Sequence, residues 1–312
     1  MPHKVMSMER ARRDHPTIRP FMLGIAGDSA AGKTTLAGGL VEALGRDRST
    51  SICTDDYHRY DRAERRQVPF TALHPECNYV SIMEQHLQLI ATGQPILKPV
   101  YNHETGTLDR PTLVEPKEFV IVEGLLPLHT KLMRSCFDVT VYLDPPEAVR
   151  TKWKLSRDTG ARGYSREQVL EELERREPES EEFIRSQRAD ADIVVQFAPI
   201  AGRDDPPDTP LSATLLLRPT VPHPPLVRIV EHTSAIHLKM MRDGDERPVD
   251  ALHVHGYAPE ADSSRVERLI WEDIGLDQPV PTGLGAIGPD QRSAPLAVTQ
   301  LILLHHLLSA QR

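Results

Sequence analysis

Gly27-Asp28-Ser29-Ala30-Ala31-Gly32-Lys33-Thr34 is the stretch whose reading decides the fold. It matches G-x-x-x-x-G-K-[ST], a loop whose backbone N–H groups turn inward onto phosphate oxygens. In that pattern the lysine reaches the β- and γ-phosphates of a nucleotide and the hydroxyl of Thr34 can hold Mg²⁺. The apolar run 21–26 ahead of it reads as a buried strand. Thr35 to Leu44 behind it has Leu36, Leu40, Val41 and Leu44 at helical spacing. Strand, glycine loop and helix in that order is the context the motif requires. Residues Gly27 to Thr35 are therefore expected to bind a nucleotide, against the alternative of a glycine turn that binds nothing.

Outward from the loop, strands and helices alternate. Residues 50–54, 119–123, 139–143 and 191–197 read as strands, and 80–92, 146–157 and 166–176 as helices. Alternation of this kind implies an α/β fold with a mostly parallel sheet covered by helices on both faces. The character changes near Pro199. The stretch 202–210, rich in Asp and Pro, reads as a linker or exposed loop. Beyond it come shorter β-like runs at 213–217, 226–230 and 251–255, then helices at 263–273 and 296–308. This C-terminal α+β third is expected to extend the sheet or to form a subunit interface.

The bulk numbers narrow the class. The chain has 312 residues, 37 basic and 45 acidic side chains and a net charge of −8. That balance argues against a general nucleic-acid binder. No apolar run approaches the length of a membrane span, and the first 19 residues lack the apolar segment of a signal peptide. Three cysteines, Cys53, Cys77 and Cys136, fit neither a zinc site nor a disulfide framework, which points to a reducing cytoplasm.

Ligands of open α/β sheets bind beyond the carboxyl ends of the strands. Acids stand at three such ends: Asp55 and Asp56, Glu123, and Asp144. Glu123 closes an apolar strand, an arrangement that holds Mg²⁺ directly or through water, alongside Thr34. Asp55-Asp56-Tyr57-His58-Arg59-Tyr60-Asp61-Arg62 suits a small phosphorylated alcohol, with one carboxylate taking the hydroxyl proton and Arg59 or Arg62 gripping an anion. The alternative is a solvated charged loop. Lys154, Arg157, Asp158 and Arg162 lie where a basic helix runs into a glycine-containing loop, as in a lid that closes over phosphates. Trp153 reads as packing, and the charged helix with Arg175 and Arg176 could equally be solvated.

Together these motifs resemble the phosphoribulokinase and uridine kinase family. The match rests on Gly27 to Thr35, Asp55-Asp56-Tyr57-His58, Val122-Glu123-Gly124-Leu125 and Arg157-Asp158 with Arg162-Gly163. The runs 56–62, 71–75 and 98–106, the last with Tyr101 and His103, are similar to the phosphoribulokinase branch. The resemblance covers roughly residues 20–198. It implies ATP and Mg²⁺ as cofactors, and ribulose 5-phosphate as the partner that is phosphorylated. It further implies Asp55 as base, Asp158 as a second essential acid and Lys154 as a support of phosphoryl transfer. Glu123 and Thr34 would be metal ligands. His58, Arg59, Arg62, Tyr101, His103, Arg157 and Arg162 would bind the acceptor. A homodimer is implied by the family and by apolar surface in the C-terminal third. A uridine-type nucleoside kinase and a non-catalytic nucleotide-binding regulator remain as alternatives. One departure matters: photosynthetic eukaryotic members carry a redox-active cysteine in the phosphate loop, where this chain has Ala31. Cys53 matches the partner of that cysteine, but the loop cysteine itself is absent and no cysteine follows Cys136, so disulfide switching at this loop is not expected. The expected organisation is a tail at 1–19, a P-loop kinase domain at 20–198, a linker at 199–210 and a sheet extension with helices at 211–312.

Overall fold

From Met22 to Gly27, strand β1 (Phe21–Gly27) is buried at every position. A continuous apolar run has this consequence when both faces of a parallel sheet are covered. The computed structural model describes residues 19–160, 163–200, 202–203, 206, 209–231, 233–276 and 278–309. The expected tail, save its last residue, and Arg162 lie outside them. After β1 come α1 (Lys33–Leu44), β2 (Ser49–Cys53), α2 (Val80–Ala91), β3 (Ile96–Asn102), β4 (Thr107–Val114) and β5 (Phe119–Gly124). They are followed by α3 (Lys131–Arg134), β6 (Val139–Leu143), α4 (Glu147–Gly160), α5 (Arg166–Glu179) and β7 (Ile193–Ala198). Further on lie β8 (Ser212–Leu217), α6 (Leu226–Val230), β9 (Ile236–Arg242), β10 (Pro248–Val254) and α7 (Glu260–Ile274). The small hairpin β11 (Ala286–Gly288) and β12 (Gln291–Arg292) precedes α8 (Ala294–Ser309).

Eight strands form one sheet in the order β2-β5-β1-β6-β7-β8-β10-β9. The first five are parallel, and β8, β10 and β9 continue it as antiparallel neighbours. The mostly parallel sheet is therefore present, and the C-terminal third extends it. Register sets the site: Glu123 of β5 lies opposite Ile25 on one side and Cys53 on the other. The carboxyl ends of β1, β2 and β5 are thus level, and the turns that follow them share one edge.

One face of the sheet carries Leu23, Ile25, Val141, Val195, Leu215 and Leu252 against α1, α7 and α8. On the other, Met22, Val120 and Val122 pack on Met83, Leu87 and Ile90 of α2. Burying such side chains contributes roughly 1.5–3 kcal/mol each before entropy is charged. Helix α8 is apolar on all sides and is buried for most of its length. Its one interior amide is used: Gln300 accepts from the Gly285 N–H (2.7 Å) and donates to the Leu36 carbonyl of α1 (3.3 Å).

The structure adds elements that the sequence reading did not name, strand β9 and the short helix α3 among them, and differs from it at two further places. Leu226–Val230 is a helical turn and not a strand. Pro224 and Pro225 set helical φ at its start and remove N–H groups that a strand would need. The hairpin of β3 and β4 stands outside the main sheet, with β4 exposed along nearly all its length. It has no apolar alternation to betray it.

Candidate functional site

The phosphate loop owes its shape to steric necessity. A Cβ on Gly27, whose φ is +153°, would stand 2.8 Å from the Leu143 carbonyl oxygen of β6. Ala30 sits in the left-handed region at φ +66°. Lys33 is buried, and its ammonium donates to the carbonyls of Gly27 and Asp28, both at 2.8 Å. The residue after it, Thr34, donates its hydroxyl to Glu123 Oε1 at 3.0 Å. The loop after β1 and the acid at the end of β5 therefore meet. Burial raises the pKa of Glu123, and the nearby Asp55 charge adds to this, while Lys33 opposes it. Gly124 lets the next strand end approach: a Cβ there would be 1.9 Å from the Thr54 hydroxyl.

The two adjacent aspartates have separate fates. Both lie in the 3₁₀ turn Thr54–Tyr57. Asp56 faces the β3–β4 hairpin, where it accepts from the Lys98 ammonium and from the Tyr101 N–H (3.0 Å). The Oδ1 of Asp55 is buried with no hydrogen-bond partner among the described residues. Its charge is felt at Cys53, Glu123 and His58. An unpaired buried carboxylate oxygen is costly. Asp55 is thus available to accept a proton, whereas Asp56 is a structural tie. The third strand-end acid, Asp144, is held by Arg188 (2.9 Å) and Gln196 (3.0 Å), and lines a cavity of about 330 Å³ with Asp28, Arg150 and Arg185.

Helix α4 delivers a buried ion pair. Lys154 and Asp158 are one turn apart, 1% and 2% exposed, with Nζ 2.7 Å from Oδ2. Burial alone would raise the Asp158 pKa, but hydrogen bonds from Arg157 (Nε, 2.8 Å) and Lys154 bring it down to about 2. The Lys154 pKa is lowered by burial and by the Arg176 charge, with Asp158 opposing. Arg157 also reaches Ser29 of the phosphate loop (3.4 Å). Trp153 packs partly against the core under the loop.

Just after the 3₁₀ turn, His58 is buried, bonded through Nδ1 to Asn78 Oδ1 (2.8 Å) and set edge-on to Tyr101. Burial lowers its pKa to about 4 despite the neighbouring Asp55 charge, so it is neutral at pH 7. Arg59 lies over the Tyr79 ring, 3.6 Å from Glu76. Arg62 holds the β3–β4 turn through the carbonyls of His103 (2.6 Å) and Glu104 (3.4 Å). His103 is exposed, with its ring edge-on to Tyr101. The arginine that turns inward is Arg65, which lies over the Tyr101 ring and donates to its hydroxyl. Arg176 of α5, which pairs with Glu172, adds a second half-buried cation. Arg65 Nη1, Arg176 Nε and Arg59 Nε are all buried without a partner among the described residues. The charges of Arg65 and Asp55 are both felt at His58, that of Arg65 at Arg176, and those of Arg65 and Arg59 at Cys77; such a neighbourhood of unpartnered guanidinium nitrogens and a carboxylate suits an anion that carries a hydroxyl. Neither Arg65 nor Arg176 stands out in the sequence, where each belongs to an Arg-Arg pair. Only the inward turn of one member marks it.

A parallel sheet with a phosphate loop after β1, an acid meeting that loop from β5 and a basic helix beyond it defines a P-loop nucleotide-binding fold. Within that class, the model described as the phosphoribulokinase / uridine kinase family matches residues 22–202, and the chain belongs to that family. A phosphoribulokinase of Synechocystis sp. is 41% identical over 181 residues, covering 58% of this chain and 54% of the relative. The chloroplastic phosphoribulokinase of Triticum aestivum is 35% identical over 198 residues, covering 58% and 49%. The chain thus matches about half the length of these two phosphoribulokinases. A uridine kinase of a Geobacillus species is 31% identical over 184 residues, covering 57% of this chain and 86% of the relative. The solved phosphoribulokinase of Rhodobacter spheroides shares the fold, with a TM-score of 0.59 over 81% of this chain and 95% of that one, at 19% identity.

Proposed function

We propose that this chain transfers the γ-phosphoryl group of ATP to the 1-hydroxyl of ribulose 5-phosphate, giving ribulose 1,5-bisphosphate. The observation that carries the reading is the buried, unpartnered Asp55 oxygen whose charge is felt at Glu123, together with an unpartnered nitrogen of Arg65, whose charge acts with that of Asp55 on His58. A base for a hydroxyl and cations for a phosphate are what a sugar-phosphate acceptor needs. A neutral nucleoside would leave those cations unsatisfied. Kinship with phosphoribulokinases supports the same choice.

In this reading residues Gly27 to Thr35 cradle the nucleotide phosphates through backbone N–H groups, and Lys33 exchanges its carbonyl contacts for phosphate oxygens. Thr34 and Glu123 bring a hydroxyl and a carboxylate oxygen together, the hard donors Mg²⁺ prefers, and would hold it. A bound Mg²⁺ would neutralise charge on the transferring group. Asp55 accepts the proton of the attacking hydroxyl. Arg65, Arg176 and Arg59 hold the acceptor's phosphate. Neutral His58, fixed by Asn78, orients a sugar hydroxyl. Lys154 and Arg157, anchored by Asp158, bring positive charge toward the transferring oxygens, and Arg162 belongs to the same group by its place in the chain. Residues 20–198 supply these groups, and 211–312 extend the sheet beside them. We further propose a homodimer, supported by the exposure of Met240 and Met241 on the outermost strand β9. Light scattering of the purified chain tests it.

ADP release measured with ribulose 5-phosphate, uridine and pantothenate as acceptors tests the reaction. Turnover on ribulose 5-phosphate alone is expected, and turnover on uridine alone would refute the proposal.

A further inference from the structure

The end of α5 touches both halves of the site through two consecutive residues. Glu179 accepts from the Thr71 N–H (2.9 Å) and from the Thr71 hydroxyl. Thr71 opens the acceptor-side loop 71–78. Its hydroxyl accepts from the Leu73 N–H (3.2 Å), and Asn78 ties the loop by donating to the carbonyls of Ala72 (3.1 Å) and His74 (2.9 Å). That same Asn78 fixes His58. On the other side Ser180, 1% exposed, donates its hydroxyl to Asp28 Oδ2 inside the phosphate loop. Asp28 is 5% exposed, receives Arg150 at 3.3 Å and accepts from the Ser29 N–H at 2.7 Å. Its carbonyl accepts from Lys33. A path of hydrogen bonds, joined by short covalent steps at Ser180–Glu179 and Ala72–Leu73, therefore runs from Lys33 to His58.

The local backbone suits a strut of this kind. Pro178 removes one N–H from the helix, and the chain continues as a π-turn, Ser180–Ile184. Irregular turns of this type re-aim successive side chains. Here Glu179 and Ser180 are aimed at opposite halves. Resting on the reading that the phosphate loop takes a nucleotide, we propose that Glu179 and Ser180 are positioning residues that couple nucleotide occupancy to the order of loop 71–78. The differential contact is Lys33. A bound phosphate competes for its ammonium, the Asp28 carbonyl loses that donor, and the Asp28 carboxylate settles more firmly on Ser180 and Arg150. A ligand shifts an element only through a contact that differs between its two states, and this contact does.

Hydrogen exchange with and without the magnesium complex of a non-hydrolysable ATP analogue tests this, because the readout does not depend on which acceptor the enzyme uses. In the unaltered chain, nucleotide should slow exchange both in loop 27–34 and in loop 71–78, the latter by about five-fold, the low end of typical coupling. Ser180→Ala and Glu179→Gln should keep the protection of 27–34 and lose that of 71–78, and the double variant should lose no more than either single one. Equal protection of 71–78 in the variants, or none in the unaltered chain, overturns the proposal. Failure to phosphorylate ribulose 5-phosphate would count against the acceptor reading only, and it is read in a separate assay.

Discussion

Replacing Asp55 by asparagine keeps the shape of the side chain and removes one charge and one proton acceptor. Asp55 Oδ1 has no partner among the described residues, so the change breaks no hydrogen bond and should leave the fold intact. A positioned general base contributes about 10²- to 10⁴-fold, or roughly 3–5 kcal/mol at 1.36 kcal/mol per decade. kcat should fall by that factor in the ADP-release assay. Nucleotide affinity should hold, because the Asp55 charge raises the Glu123 pKa, and removing it favours the ionised form that meets Thr34. A second readout checks the placement itself. The Cys53 thiol is held well above its ordinary pKa by burial first, then by the Asp55 and Glu123 charges. Losing one of those charges lowers it, so Cys53 should alkylate faster with iodoacetamide at fixed pH. Peptide mapping separates it from Cys77 and Cys136, which are buried. A loss of turnover under ten-fold would refute the assignment of the base. An unchanged Cys53 rate would refute the geometry.

Acid should destabilise the fold through two buried histidines. Burial brings His58 to about 4, and burial with the charges of His223 and His305 brings His306 to about 3, against 6.5 when unfolded. The unfolded chain then binds more protons, so stability is full above pH 6.5 and is lost as pH falls toward these values. The His58 shift alone amounts to about 3 kcal/mol. Tm followed from pH 7 to pH 5 should fall, and His306→Gln should flatten the slope. Adjacent glycines of α1 should respond oppositely to alanine. Gly38 has open space, so Gly38→Ala should stabilise by about 0.5–1 kcal/mol. A Cβ on Gly39 would lie 2.0 Å from Gln300 Nε2, so Gly39→Ala should destabilise by about 1–3 kcal/mol in urea unfolding. Arg65→Gln should raise the KM for ribulose 5-phosphate about ten-fold or more with little change in the KM for ATP, since loss of a charged hydrogen bond costs about 1.5–3 kcal/mol.

How much was legible in the sequence depended on how local the signal was. The phosphate loop, its flanking strand and helix, and the strand ending in Glu123 announce themselves within a dozen residues each, because a buried parallel strand must be a short apolar run. The helical turn at Leu226–Val230 reads as β because its residues are branched and apolar, and the prolines that decide the matter lie outside the run. The β3–β4 hairpin carries little core and so leaves little pattern. Ser180 looks like any polar residue at a helix end. Its value comes from Asp28, 152 positions earlier in the chain.

The site residues show the limit most sharply at Asp55 and Asp56. They are the same residue type, adjacent, in one 3₁₀ turn. No property of either distinguishes a base from a tie. The difference is supplied by Lys98 and the Tyr101 N–H, more than forty positions away, which consume the charge and lone pairs of Asp56 and leave those of Asp55 open. The same logic separates Arg62 from Arg65. Both lie within reach of the hairpin. The carbonyls of His103 and Glu104 take up the guanidinium of Arg62, while the face of Tyr101 supports Arg65 with one nitrogen still unspent. In both pairs the hairpin satisfies one member and thereby selects the other. A hairpin that contributes little to the core thus has a role in sorting polar groups: it decides which charges remain available to a ligand.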